Sequence, residues 1–352
     1  MQANDNILSI LREKEYSTIQ QSRRAVILQP GAIGDCILTL PLAKFMKESL
    51  GLGGIEILGH TEYIGILPGR TCVDRVRSMD SMDLHRLFTE KKEFDLADKD
   101  PLIYVFADYD WIVTFMGEPD SNFEQNLIFT AHCSHSAEII TLSLKPPKKF
   151  SGHLANFYIQ QFVEQCDMPL EPMPFSGGEQ LIKAAEADRK RGRELLAEKD
   201  VDFSAKLVVL CPGSGGKEKC WHIDNFLSIA KELTFKGIEV IFLLGPAETE
   251  RFGDKIISKI NNAAQLLTDL SLTEVLGLFS CADGFVGNDS GITHLAAGSG
   301  VKTLAVFGPT EPAVYKPIGP AVKILKSKAS TFTKQHSVKL QQKIVEALME
   351  VS

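Results

Sequence analysis

A segment that occurs twice sets the terms for what this chain can fold into. Ala25-Val26-Ile27-Leu28-Gln29-Pro30-Gly31-Ala32-Ile33-Gly34-Asp35 is echoed by Leu207-Val208-Val209-Leu210-Cys211-Pro212-Gly213-Ser214-Gly215-Gly216-Lys217. Each copy is a short apolar run, then Pro-Gly-x-x-Gly, then a charged residue. The run reads as a buried parallel strand, and the glycines permit a tight strand-to-helix turn. Such turns aim unsatisfied backbone N–H groups at anions. The copies lie more than a domain length apart, so they predict two similar α/β domains, each presenting a glycine-rich loop. One loop ends in a carboxylate and the other in an ammonium group, an acid/base wall and a phosphate-binding wall for a cleft between them.

A chain of 352 residues has room for two domains with sizeable cores. Strands alternating with helices predict parallel sheets covered on both faces. In the first half, strands are expected at 25–29, 55–58, 73–76, 111–115 and 139–144, with helices near 34–49, 84–88 and 153–166. In the second half they are expected at 207–211, 238–244, 284–287, 302–307 and 321–325. Helices there are expected over 180–198, 223–236, 247–260, 273–281, 291–298 and within 334–350. Pro169, Pro172 and Pro174, followed by Gly177-Gly178, mark a linker between the halves. Residues 1–23 carry one apolar stripe (Ile7, Leu8, Ile10, Leu11), suited to a packed helix or an amphipathic arm.

Net charge is −7, which argues against a general nucleic-acid binder. No apolar run approaches a membrane span and no stretch reads as a secretory leader. The seven cysteines are scattered, with no C-x-x-C, as expected of reduced thiols in a cytoplasmic protein. Cys36 and Cys220 fall near the loops and read as small fillers, because nothing nearby would activate them.

Several residues carry chemistry. Asp35 follows the first loop at the carboxyl end of a strand, where ligands of open α/β sheets bind. It is a candidate general base, against the alternative of a carboxylate that only complements a helix N-terminus. After the second loop, Ser214, Gly215, Lys217 and Lys219 suit diphosphate oxygens. The P-loop pattern fails there, since Glu218 follows Lys217. In Gly287-Asn288-Asp289-Ser290-Gly291-Ile292-Thr293-His294, a strand runs into a helix with Asp289 or Ser290 as N-cap. His294 lies one turn past Ser290, facing either the same mouth or the core. Glu248, after Gly245-Pro246-Ala247, would reach a ribose hydroxyl or complement its own helix. His132-Cys133-Ser134-His135 has no supporting ligands nearby and reads as no metal site.

Together these segments resemble the lipopolysaccharide heptosyltransferases, glycosyltransferase family 9. The likeness is carried by Gly34-Asp35 with Pro41, Pro212-Gly213-Ser214 with Lys219-Cys220-Trp221, Leu243-Leu244-Gly245-Pro246-Ala247-Glu248, and Gly287-Asn288-Asp289-Ser290-Gly291 with His294-Leu295-Ala296-Ala297, continuing into Phe307-Gly308-Pro309-Thr310. What the resemblance implies is an α/β chain of the GT-B fold, two Rossmann-like domains with parallel sheets facing across a cleft. The implied parts are an N-terminal extension (1–23), an acceptor-binding domain (24–168), a linker (169–178), a nucleotide-sugar-binding domain (179–330) and a C-terminal helix (331–352) crossing back to the first domain.

The implied reaction is inverting transfer of a sugar, by analogy heptose from ADP-heptose, onto a lipopolysaccharide-core or related envelope glycolipid. It uses no metal and no cofactor, the nucleotide-sugar being a substrate. Asp35 resembles the base that deprotonates the acceptor. Ser214, Gly215, Lys219, Glu248, Asp289, Ser290, Gly291 and His294 resemble the donor site. The acceptor half offers Lys145, Lys148 and Lys149 as a basic cluster for an anionic core, and peripheral contact with the inner membrane face fits such an acceptor. A sugar-nucleotide-binding protein without transfer is the competing reading. A Rossmann dehydrogenase is disfavoured by the missing G-x-G-x-x-G.

Overall fold

The computed structural model describes residues 23–350, so the amphipathic stretch expected before the first strand lies outside the described residues. The chain divides into two compact units. The first contains the described residues up to Ala32, Thr39–Lys149 and Leu154–Phe175. The second contains Ile33–Leu38, Phe150–His153 and the chain from Ser176 onward. Residues 166–185 form neither helix nor strand, in keeping with their prolines, and the division at 175/176 falls among them.

The first unit is built on a parallel five-stranded sheet: β1 (Arg24–Leu28), β2 (Gly54–Gly59), β3 (Arg75–Ser78), β4 (Trp111–Thr114) and β5 (Glu138–Thr141), in the order β3-β2-β1-β4-β5. The second has a parallel six-stranded sheet: β6 (Leu207–Cys211), β7 (Glu239–Leu244), β8 (Gln265–Thr268), β9 (Gly284–Asn288), β10 (Thr303–Phe307) and β11 (Val322–Lys326), in the order β11-β10-β9-β6-β7-β8. Counted from its own first strand, that is the doubly wound 3-2-1-4-5-6 order. Helices on both faces bury the central strands, which explains their unbroken apolar runs in place of alternation.

Some local expectations needed correction. Residues 84–88 form a 3-10 helix, and the charged helix begins at Glu186 rather than near 180. The helices Pro101–Phe106 and Asn122–His132 and the edge strand β8 were not anticipated. Their apolar stretches are short, and the Asn122–His132 helix declares itself mainly through Ser121, whose hydroxyl accepts from the Glu124 N–H at 3.4 Å.

The last helix contributes to the core of the second unit. The helix Val338–Met349 places Leu340, Ile344, Val345 and Leu348 in the second unit's core with Phe226 and Val286. Buried Asn225 holds its start, accepting from the Ser337 N–H (2.8 Å) and the Gln341 amide (2.7 Å). Its amphipathic face is thus spent on the Ile223–Phe235 helix. Among the described residues, no helix is long and apolar enough to cross a membrane.

Candidate functional site

In the second sheet the strand order reverses between β6 and β9, and the loops leaving these two strands converge at their carboxyl ends. The loop after β6 is the second copy of the repeated segment. It does not turn straight into a helix, as its likeness to the first copy suggests. It runs through Gly216 into a 3-10 turn, Lys217–Lys219, and the helix starts only at Ile223. Buried Asn288, at the end of β9, braces this excursion. Its side-chain amide donates to the Pro212 and Gly213 carbonyls (2.7 and 3.4 Å) and its Oδ1 accepts from the Trp221 N–H (3.1 Å). Trp221 is buried edge-on against Phe226.

Asp289 is the hub of the site. It is 6% exposed, and its backbone carbonyl accepts the Ser214 hydroxyl at 2.7 Å. Its Oδ2 accepts the Thr310 hydroxyl at 2.7 Å and holds the Lys219 ammonium at 3.0 Å. Its Oδ1 lies 4.0 Å from His294 Nε2. Ser290 is the N-cap of the Gly291–Ser299 helix, its hydroxyl accepting from the Thr293 N–H at 3.3 Å.

His294 is buried, and its Nδ1 has no partner among the described residues. Burial lowers its pKa to about 4, with His153 and Lys219 pushing the same way and Asp289 opposing. The imidazole is therefore neutral near pH 7.

The neighbouring loop after β7 contributes Glu248, buried against Gly213, where a Cβ would strike its carboxylate. Glu248 Oε2 accepts from the Gly245 N–H at 3.1 Å, so this carboxylate caps its own helix. From the next turn Arg251 reaches back, its guanidinium 3.4 Å from the Ser214 carbonyl and 3.1 Å from Cys220 Sγ. Burial raises the Cys220 thiol pKa, Arg251 notwithstanding, and pushes Cys36 up to about 12, with Asp35 adding to it. Both thiols are thus poor nucleophiles at neutral pH.

Asp35 stands half-buried in the first turn of the Ile33–Ser49 helix. Residues 33–38 belong to the second unit. There a Cβ on Gly34 would sit 3.5 Å from both Gly291 Cα and His294 Cδ2, which puts the Asp35-bearing turn against the Gly291–Ser299 helix.

The model of glycosyltransferase family 9 (heptosyltransferase) matches residues 136–345. The chain belongs to this family. Among similar proteins, lipopolysaccharide heptosyltransferase 2 of Salmonella typhimurium is 27% identical over 143 residues, 38% of this chain and 41% of that one. Lipopolysaccharide heptosyltransferase 1 of Pseudomonas aeruginosa is 32% identical over 167 residues, 47% and 42% respectively. The matches thus span less than half the length of these two relatives.

Among solved structures, E. coli ADP-heptose lipopolysaccharide heptosyltransferase II superposes with a TM-score of 0.69 at 15% identity, covering 93% of this chain and 98% of that one. The glycosyltransferase family 9 protein of Veillonella parvula gives 0.68 at 16%, covering 92% and 95%. The fold is accordingly GT-B, with two Rossmann-like parallel-sheet domains.

In this family 9 chain, the structure gathers Ser214, Lys219, Asp289, Ser290, Gly291 and His294 at one mouth, with Gly215 exposed on its rim and Glu248 behind the loop. Asn288, Arg251 and Thr310 were missed as members of the network. Thr310 and Asn288 lay inside segments that carried the family likeness, but nothing in their spacing showed whom they would bond.

Proposed function

We propose that this chain is an inverting, metal-independent glycosyltransferase. It would move heptose from ADP-heptose onto a lipopolysaccharide-core or related envelope glycan at the cytoplasmic face of the membrane. The observation that carries the reading is the pairing of Lys219 with buried Asp289 beside the glycine loop, at the strand-order reversal where nucleotides bind in such sheets. Family membership supports the reaction class. A solved E. coli heptosyltransferase with ADP (TM-score 0.63, 16% identity, covering 92% of this chain and 99% of that one) supports the adenine nucleotide.

In this reading the glycosidic C–O bond to the diphosphate breaks as the acceptor oxygen bonds to the anomeric carbon from the opposite face. Asp35 takes the acceptor hydroxyl proton. Lys219 and the N–H groups of Ser214 and Gly215 meet the charge growing on the departing diphosphate, the task a metal ion performs elsewhere. Ser290, Gly291 and neutral His294 line the same pocket, where His294 can hydrogen-bond the donor without adding a buried charge. Glu248 would accept from a ribose hydroxyl with the oxygen that its helix does not use.

The test is incubation with ADP-heptose and a heptose-free lipopolysaccharide core in excess EDTA, read by mass spectrometry of the glycolipid and NMR of the new anomeric linkage. A heptosylated product of inverted configuration is expected. ADP-heptose binding without product would leave a binding protein, and activity restored only by a divalent ion would overturn metal independence.

A further inference from the structure

Asp289 presents a problem for a pocket meant to receive a diphosphate, because a buried carboxylate repels the anion it lies beside. The geometry resolves this through Thr310. That residue stands three positions beyond the end of β10, and its hydroxyl donates to Asp289 Oδ2 at 2.7 Å, the same oxygen that holds the Lys219 ammonium at 3.0 Å. The backbone of the same residue is held separately, since the Ser214 hydroxyl donates to the Asp289 main-chain carbonyl at 2.7 Å. With its main chain held by Ser214 and its Oδ2 held by Thr310, this short side chain keeps Oδ2 toward Lys219 and Oδ1 toward His294.

Lys219 has a long, flexible stem and sits on a short turn. Without a fixed anchor its ammonium would sweep solvent, since lysine retains its rotamer freedom at a surface. Its side chain is 34% exposed, so the tether does not bury the charge; it holds the cation at the mouth.

We propose that Thr310 is a positioning residue: by orienting Asp289 it makes that carboxylate a tether that presents Lys219 to the anionic leaving group, so that Asp289 serves the pocket as the holder of its cation. This rests on the donor-site reading above.

The test compares wild type, Thr310→Val and Thr310→Ser. Valine keeps the shape and removes the donor, while serine keeps the donor. Two readouts are taken on folded protein of matched melting temperature: the rate at which Lys219 is acetylated by sulfo-NHS-acetate, followed by peptide mass spectrometry, and the affinity for ADP by calorimetry. Thr310→Val is expected to acetylate Lys219 about threefold to tenfold faster and to bind ADP weaker by a similar factor, the loss of one hydrogen bond to a charged group. Thr310→Ser is expected to restore both.

Wild-type labelling of Lys219 in Thr310→Val overturns the tether. Faster labelling with unchanged ADP affinity overturns its service to the nucleotide. If Thr310→Val fails to fold, labelling of Thr310→Ser and Thr310→Ala decides the matter: equal rates overturn the tether, and a faster rate in alanine alone supports it. Should the wild-type chain bind no ADP, the donor-site reading fails, and with it the tether's service to nucleotide. The acetylation rates still report the tether geometry by itself.

Discussion

The two Pro-Gly loops began as one sequence pattern and occupy the same topological place, each leaving the strand beside which its sheet's order reverses. Their local structures diverge. After β1 the chain enters a helix at Ile33, with Gln29 folded over the turn. The Gln29 amide donates to the Thr39 hydroxyl at 2.7 Å and its Oε1 accepts from the Gly31 N–H at 2.9 Å. After β6 the chain wanders to Ile223, braced from another strand by Asn288. The first loop is closed by its own neighbours in sequence, the second by residues brought from β9. A self-closed turn presents one carboxylate, Asp35, on a helix. A loop braced from outside can instead display a lysine, a serine and bare backbone side by side. The same glycine spacing therefore leads to two different displays, a carboxylate on a helix and a braced loop with a lysine and open backbone, although Asp35 and the second loop both belong to the second unit.

That division of labour can be broken in order of expected effect. Asp35→Asn should reduce transfer by about 10²–10⁴-fold, the usual contribution of a general base, while ADP affinity and melting temperature stay near wild type. Normal turnover in that variant would leave Asp35 a first-turn carboxylate only.

Asn288→Ala removes the brace and strands the Trp221 N–H and two buried carbonyls. It should cost about 1–3 kcal/mol in urea unfolding. Gln29→Ala in the self-closed loop should cost less, about 1 kcal/mol; equal costs would erase the contrast between the loops.

Lys219→Ala should weaken ADP binding by about tenfold, less than a fully buried charge pair would, because the side chain is partly exposed and screened. Unchanged ADP affinity, measured by calorimetry, would remove Lys219 from the anion wall.

The smallest effect concerns pH. The folded-state pKa of His294, about 4, lies below its ordinary value of 6.5, so the unfolded chain binds the extra proton. The stability this buried neutral ring contributes is complete above pH 6.5 and is lost as pH falls toward about 4. Between pH 7 and 5 the wild type should lose on the order of 1 kcal/mol more than His294→Gln. Parallel melting profiles of the two proteins would show that His294 does not titrate as its burial demands.

Much of this molecule was legible before any coordinates. The central strands announced themselves because parallel strands buried on both faces must be uninterrupted apolar runs, as in Val26-Ile27-Leu28 and Val208-Val209-Leu210. The edge strand β8, Gln265-Leu266-Leu267-Thr268, did not, being short and only partly buried. Candidate site residues were legible where a strand end met glycine and a charge. Their partners were not: no local pattern singled out Arg251, and Thr310 stood out only as part of the segment Phe307-Gly308-Pro309-Thr310. Glu248 kept two readings in sequence, and the structure shows one of its oxygens already bonded to Gly245.

The division between what sequence and structure decided follows from the range of the forces involved. Strand identity, glycine turns and helix caps depend on residues a few positions apart, so the chain determined them locally: Ser290 caps its helix through Thr293 wherever the helix goes. The last helix shows the limit, because its amphipathic spacing required a partner surface without saying which one. Only packing against the Ile223–Phe235 helix decided that. The site is the same kind of outcome. Lys219, Asp289 and Thr310 meet because parallel pairing of β6, β9 and β10 brings three strand ends together, and hydrogen bonds and ion pairs act only across the few ångströms that such pairing creates.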